Sequence, residues 1–472
     1  MINSQDFRKY AHEFVDWMAD YLEEVENLPV KSPVKPGEIY AQIPNSPPAE
    51  GEPMDRIFKD FERIILPGMT HWQSPNYFAY FTANSSYPSL LAEMLTSTLA
   101  AQCMVWETSP AAAELEEKVL NWLREMIGLP NDFEGVIQDT ASTATLVALL
   151  TAREVYTSYR INETGFLASN YFRIYCSEEA HSSIEKAVKM AGFGRNALVK
   201  VACDDSLAIR PARLRKCILD DIHSGYIPLC VVAALGTTGT LAIDPLEPLA
   251  EICEKYDLWL HVDAAFAGTA LVLPEQRWMI KGIERADSFV FNPHKWMFTN
   301  FDCSAYFVKD SEALIRTFEV LPEYLKTGTR GKVKDYRDWG IQLGRRFRAL
   351  KLWFVIRDYG VDGIKQKVQG HITWAAELAE QVRSEPGFEL LEPQQLSLVC
   401  FRYVPKTAQT REEINEANTT ILKRLNESGR IYLTHTKVDG MVTLRMVIAQ
   451  TNVTREHVQQ AWNLIREVSH GG

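Results

Sequence analysis

Six short apolar runs, at 172–176, 198–202, 229–235, 258–262, 289–291 and 303–308, follow one another along the middle of the chain, most of them separated by helical segments. They are continuously apolar instead of alternating, so strands built from them need cover on both faces. Strands of that kind joined by helices make a mostly parallel sheet flanked by helices, an α/β architecture. In such a sheet ligands bind beyond the carboxyl ends of the strands. The polar residues to follow there are 178–181, 236–238, 263–265 and 292–295.

The remaining segments frame that sheet. At 472 residues the chain exceeds what one core serves, about 250–300 residues. Its organisation reads as an N-terminal helical arm at 1–87, a large domain at 88–360 and a small C-terminal α+β domain at 361–472. Phe7, Tyr10, Phe14, Trp17, Met18 and Tyr21 recur at helical spacing, predicting an amphipathic helix over 4–26 whose aromatic face needs a second surface, in another subunit or on its own body. Seven prolines from Pro29 to Pro53 make an extended connector, and a helix resumes at 54–66. Residues 70–81 hold five aromatics and a histidine without alternation, a core wedge or the lining of a ligand pocket. Ser109-Pro110 starts a helix through Ile127. After Arg345–Arg348 a long helix runs to about Tyr359 and is broken by Gly360–Gly363; beyond it come a helix, strands at 396–403, 429–433 and 441–448, and helices at 410–427 and 454–468.

Charge and cysteine content narrow the function. A net charge of -11 without basic clusters excludes general nucleic-acid binding. The eight cysteines form no Cys-x-x-Cys pair, and several lie in apolar runs, which fits reduced core thiols and no metal site. Neither a signal peptide nor an apolar stretch approaching the ~18 residues of a membrane span is expected, and the reading is a cytoplasmic protein.

Chemistry concentrates at Asn292-Pro293-His294-Lys295-Trp296, between two apolar runs. A buried lysine beside a second basic group has a lowered pKa and a usable nucleophilic amine. If Lys295 holds an aldehyde cofactor such as pyridoxal phosphate, the same sheet edge must supply an anion for the pyridine nitrogen and a phosphate site. Asp263, ending a strand run, is placed for the first. Thr140-Ala141-Ser142, at a strand-to-helix turn, is placed for the second, because helix N-termini hold phosphate. His181 is placed to stack on the ring. Singly, Asp263 reads equally as a helix cap, His181 as a turn residue and His261 as a core residue; the order of the signals on successive strand ends joins the first two.

Gln138-Asp139-Thr140-Ala141-Ser142, Ala180-His181-Ser182-Ser183, Leu235-Gly236-Thr237-Thr238, His261-Val262-Asp263-Ala264-Ala265 and Asn292-Pro293-His294-Lys295-Trp296 together resemble the motif series of the group II pyridoxal-phosphate decarboxylases, and most of all the aromatic-L-amino-acid decarboxylases. The resemblance spans nearly the whole chain. It implies a fold-type I architecture and a homodimer with shared active sites, in which the N-terminal helix is a dimer element. It implies pyridoxal 5'-phosphate as cofactor, with Lys295 the covalent anchor, Asp263 the partner of the ring nitrogen and His181 the stacking group. Ala141, Ser142 and His294 would then hold the phosphate region, with Thr238, Ala265 and Asn292 close to the cofactor. Tyr324, on a glycine-bearing loop, matches the family's proton donor, and Trp72, Tyr80, Phe81 and Gly344 match its substrate pocket.

Four departures stand out: Asp139 beside the phosphate site, Thr82-Ala83 after the aromatic stretch, and Gln102 and Met104 in place of apolar and aromatic pocket residues. The activity so implied is decarboxylation of an aromatic L-amino acid. Gly344 favours tryptophan, 5-hydroxytryptophan or DOPA over histidine, and the absence of a cation in the aromatic stretch disfavours glutamate. Retention of Tyr324 and His181 argues against the family's aldehyde synthases. A pyridoxal-phosphate aminotransferase would share the lysine, the aspartate and the fold.

Overall fold

The computed structural model describes residues 2–167, 169, 171–320 and 332–471. The chain divides into two units, one of Ala83–Thr373 with Glu392–Leu398, the other of Met1–Thr82, Trp374–Leu391 and Val399–Gly472.

The first unit is built on a seven-stranded sheet. Its strands are β1 (Glu134–Gln138), β2 (Phe172–Ser177), β3 (Leu198–Val201), β4 (Ile227–Ala234), β5 (Trp259–Asp263), β6 (Ser288–Phe291) and β7 (Ser304–Val308). They lie in the order β1-β7-β6-β5-β4-β2-β3. All six apolar runs are therefore strands, and the sheet is mostly parallel as expected. The exception is β7, antiparallel to both β1 and β6. Its connection to β6 holds only the one-turn helix Pro293–Trp296 and no packed helix of the kind that usually carries a parallel crossover. One edge of the sheet thus collects the carboxyl ends of β1, β2, β4, β5 and β6, together with the start of β7.

The helix Ala141–Tyr156 packs Ala144, Val147 and Ala148 against Val136, Val290 and Tyr306 of the sheet. Thr140 caps it, its hydroxyl accepting from the Thr143 N–H at 3.3 Å. His261, inside β5, is a satisfied core residue. Its Nδ1 meets Ser288 Oγ at 2.9 Å, and its Nε2 meets Thr145 Oγ1 of that helix at 3.3 Å. Helix Pro110–Ile127 has the expected bounds, but the Ser109 hydroxyl donates to the carbonyls of Gln102 and Thr108 and does not cap it.

In the second unit, β8 (Phe388–Leu390), β9 (Leu398–Tyr403), β10 (Thr434–Val438) and β11 (Met441–Val447) form an antiparallel sheet in the order β10-β11-β9-β8. Helices Arg411–Glu427 and Arg455–His470 close its core, in which Trp462 packs edge-on against Phe388 and Phe401 at 5.0 and 5.9 Å. The expected strand over 429–433 is a correction. Those residues are apolar because Ile431 and Leu433 are core, and Tyr432 makes only an isolated bridge to Tyr77. The ladder begins after them, at β10, and β8 was too short to see. The helix Arg348–Ser384 is interrupted where expected, at Gly360, whose φ of 63° and ψ of 166° are open to glycine.

The helix Ser4–Glu24 lays its aromatic face on its own unit: Phe14 stacks on Phe58 at 4.6 Å, Trp17 meets Phe58 and Phe61 edge-on, and the Tyr21 hydroxyl bonds His71 Nδ1 at 2.8 Å. No residue of that helix is buried.

Burial in the first unit sets an acid sensitivity. Burial lowers the imidazoles of His261, His294 and His371 from the ordinary 6.5 to about 3. The unfolded chain therefore binds protons that the folded chain refuses, so stability contributed by these groups is lost as pH falls below about 6.5. Between about pH 6.5 and 5, before carboxylates dominate, each histidine contributes a slope of up to ~1.4 kcal/mol per pH unit. Urea unfolding of cofactor-free protein across that window is expected to show the acid loss, with His261→Asn removing one proton's worth of it. An acid limb unchanged in that variant contradicts the assignment.

Candidate active site

Asp263 is the last residue of β5, and Lys295 lies just past the neighbouring strand β6, so sheet order alone brings the two together. Asp263 is buried, its Oδ1 accepting from the Ala265 N–H at 3.1 Å. Burial pushes its carboxyl up, while Lys295, the Ala265 N–H and His181 pull it down. Burial lowers the Lys295 ammonium, with Asp263 opposing. His181, after β2, is enclosed enough that desolvation lowers its imidazole; the charge of Asp263 opposes this and that of Lys295 adds to it. The three groups thus share one electrostatic environment. The His181 ring is fixed by its own turn, Nδ1 lying 2.7 Å from Ser183 Oγ and accepting from the Ser183 N–H at 3.2 Å.

The loop that carries Lys295 is held from several sides. The Asn292 N–H donates to Ala265 O at 3.0 Å, and Asn292 Oδ1 accepts from Ser304 Oγ at 2.5 Å. The Lys295 N–H donates to Asn292 O at 2.9 Å. Buried His294 makes a reciprocal pair with Cys303: its N–H donates to Cys303 O at 3.2 Å, and its Nδ1 accepts from the Cys303 N–H at 2.9 Å. With Nδ1 an acceptor and the ring neutral, the proton sits on Nε2. That leaves an N–H with no acceptor among the described residues. Asn84 donates its backbone N–H to His294 O at 3.1 Å and its Nδ2 to Lys295 O. Behind it, Arg348 grips the Asp302 carboxylate at 3.2 and 3.1 Å.

Ala141 and Ser142 open their helix with backbone N–H groups that the helix itself cannot satisfy. Asp139 does not oppose an anion there unhindered: its Oδ1 accepts from the Thr140 N–H at 2.6 Å and its Oδ2 from Gln342 Nε2 at 3.1 Å. Thr238 is half-buried in the turn after β4, where Gly236 has φ 93° and an added Cβ would strike Leu241 and Ala267. The residues fit pyridoxal phosphate: helix-start amides and the His294 Nε2–H for an anion, a buried carboxylate whose Oδ2 accepts no hydrogen bond among the described residues for a cationic ring nitrogen, and a lysine of lowered pKa for an aldehyde.

Gly344 lies beside Gln102. The Gln102 Oε1 accepts from the Arg345 N–H at 2.7 Å, and a Cβ at 344 would approach Gln102 Nε2 to 3.3 Å. The Arg345 side chain makes a buried pair with Glu116 at 2.5 Å and donates to Ile137 O of β1 at 3.0 Å.

Trp72, Tyr80 and Phe81 belong to the second unit. There Trp72 stacks on Tyr77 at 4.5 Å and on Tyr80 at 6.1 Å, and Tyr80 meets Tyr432 edge-on. Tyr77 and Phe78 are core, as a wedge requires, while Tyr80 is exposed. It is not free of cations, because the Arg445 guanidinium lies 5.6 Å from the centre of the Phe81 ring, which weakens the case against an acidic substrate. Tyr324 and residues 327–331 of its loop lie outside the described residues.

Asn84, Ser183, Cys303 and Ser304 escaped the sequence reading. Asn84 and Cys303 act through or upon backbone groups that leave no pattern, and Ser304 meets the Asn292 side chain from the next strand; Ser183, two residues after His181, was open to detection.

The family model for the pyridoxal-dependent decarboxylase conserved domain matches residues 36–404. An aromatic-L-amino-acid decarboxylase of Cavia porcellus is 42% identical over 484 residues, covering 99% of this chain and 98% of its own. A phenylacetaldehyde synthase of Arabidopsis thaliana is 40% identical over 476 residues, covering 99% and 96%. Among solved structures, that of Oryza sativa TDC with PLP and tryptamine superposes with a TM-score of 0.96 at 36% identity, covering 100% of this chain and 99% of that one. This chain belongs to the family of pyridoxal-dependent decarboxylases, among relatives that are aromatic amino acid decarboxylases and aldehyde synthases, and pyridoxal phosphate is its cofactor.

Proposed function

We propose that the enzyme decarboxylates aromatic L-amino acids to the arylalkylamine and carbon dioxide, favouring tryptophan, 5-hydroxytryptophan or DOPA, with tyrosine and phenylalanine as further substrates. The observation that carries this reading is buried Asp263 and half-buried Lys295 at the ends of adjacent strands, in one electrostatic environment with His181. When bound, pyridoxal phosphate supplies an aldehyde for the amino group and a protonated ring that accepts the electron pair left by departing carbon dioxide. The chain's own residues set up that exchange. Asp263, oriented by the Ala265 N–H, keeps the proton on the ring nitrogen. Lys295 loses its proton more readily than a surface lysine, so its Nζ would be the nucleophile that anchors the cofactor's aldehyde. The Ala141 and Ser142 amides and His294 Nε2 would hold the phosphate, Thr238, Ala265 and Asn292 would line the cofactor, and His181 would cover the ring face. Tyr324 is assigned the proton returned to the substrate carbon.

The same reading makes the enzyme a cytoplasmic homodimer with shared active sites. On the helix Tyr87–Leu99, Tyr87, Leu91, Leu95 and Leu99 are 59, 56, 47 and 62% exposed at four-residue spacing, an apolar face suited to a second copy. All eight cysteines are free thiols, in keeping with a reducing compartment. Among the described residues no helix is long and apolar enough to cross a membrane.

The second reading, an aldehyde synthase, is favoured by the Arabidopsis relative. Product analysis across tryptophan, DOPA, tyrosine, phenylalanine and histidine is expected to give one amine per carbon dioxide and no peroxide; stoichiometric hydrogen peroxide with an arylacetaldehyde overturns the proposal. Lys295→Ala is expected to lose both turnover and the visible absorbance of the anchored cofactor. Because a side chain at 344 would press on Gln102, Gly344→Ser is expected to lower kcat/KM for tryptophan relative to tyrosine on the order of tenfold. An unchanged ratio removes Gly344 from the specificity pocket.

A further inference from the structure

The cofactor accounts for Lys295 but not for the buried tryptophan beside it. Trp296 is 0% exposed, and its indole lies nearly parallel to Phe266, ring centres 4.7 Å apart and planes 4° apart. On the long helix Arg348–Ser384, His371 is equally buried, its ring 6.4 Å from the indole at 10°, and its Nδ1 accepts the Trp296 indole N–H at 2.9 Å. Phe266 stands three residues after Asp263, and Trp296 immediately follows Lys295. The indole therefore touches both loops whose side chains must face one cofactor, and the hydrogen bond to His371 is the directional contact that fixes its rotation. Stacking sets the plane of the ring, and one N–H with one acceptor adds a direction within it. Phe298, in the same loop, packs edge-on to His371 at 6.1 Å, so that helix supports the segment that follows Lys295 at two points.

We propose that His371 is a positioning residue of the decarboxylase: through the Trp296 indole it holds Lys295 in register with Asp263. The inference rests on the assignment of Lys295 and Asp263 given above, and its variants leave both residues intact, so a loss of function in all proteins including the parent would count against that assignment and not against His371.

Three variants of the holoenzyme test it. His371→Leu fills the space without an acceptor, His371→Asn restores an acceptor near the position of Nδ1, and Val368→Ala opens a cavity on the same helix while leaving the Trp296–His371 hydrogen-bond partners in place. Two readouts are taken: kcat and KM for the best amine-forming substrate, and the visible circular dichroism of the bound cofactor, which reports how its ring is held between its anchors. His371→Leu is expected to lower kcat on the order of tenfold with KM within about twofold, and to change the dichroic band. His371→Asn is expected to recover most of both, and Val368→Ala to lower Tm while leaving both as in the parent. If His371→Leu does not fold, Trp296→Phe removes the same hydrogen bond from the other side, retains the stack and is expected to give the same pair of changes. Parental kcat and dichroism in His371→Leu or Trp296→Phe overturn the proposal, as do losses that His371→Asn fails to recover or that Val368→Ala reproduces.

Discussion

The site depends on two opposite charges placed where neither would be stable alone. Asp263 and Lys295 sit at the carboxyl ends of adjacent strands, and burial pushes the carboxyl up and the ammonium down while each opposes the other's shift. The same tension prepares both for chemistry. A carboxylate short of hydrogen-bond donors favours a protonated ring nitrogen, and an amine of lowered pKa attacks an aldehyde.

Holding that pair is a backbone problem before it is a side-chain one. Lys295 stands in a single helical turn, in which Pro293 O receives the Met297 N–H and the later carbonyls have no helical partners. Asn84 takes the carbonyls of His294 and Lys295, Asn292 receives the Lys295 N–H, and Cys303 exchanges hydrogen bonds with His294. Reversal of β7 is part of the same device, since it returns Cys303 and Ser304 to the edge from which β6 has just emerged. A parallel β7 would start at the other edge and leave His294 and Asn292 without those partners.

Much of this was legible in the sequence, and for identifiable reasons. The doubly covered strands announced themselves as continuous apolar runs, and parallel order then placed Asp263, His181, Thr238 and Lys295 on one edge. The segment Ile431–Leu433 misled because its apolarity comes from core packing around Tyr77 and Phe78, not from a ladder. Asn84 and His371 were invisible because each serves a donor or acceptor, a carbonyl or an indole N–H, that carries no sequence signature. Arg445 was missed beside Phe81 because the two are distant in sequence and meet only when β11 folds against the aromatic stretch. Asp139, an apparent conflict with a phosphate, is reconciled by Gln342, a pairing equally remote along the chain.

The central claim is that folding, before any cofactor arrives, makes Lys295 an amine of lowered pKa balanced by Asp263. The most direct measurement is the pH dependence of acylation at Lys295 in the cofactor-free protein, followed by peptide mass spectrometry and compared with Asp263→Asn. The account predicts a Lys295 profile displaced below the ordinary lysine value of 10.5, and displaced further when the opposing carboxylate is removed. A profile at or above that value, or one indifferent to Asp263→Asn, would contradict it.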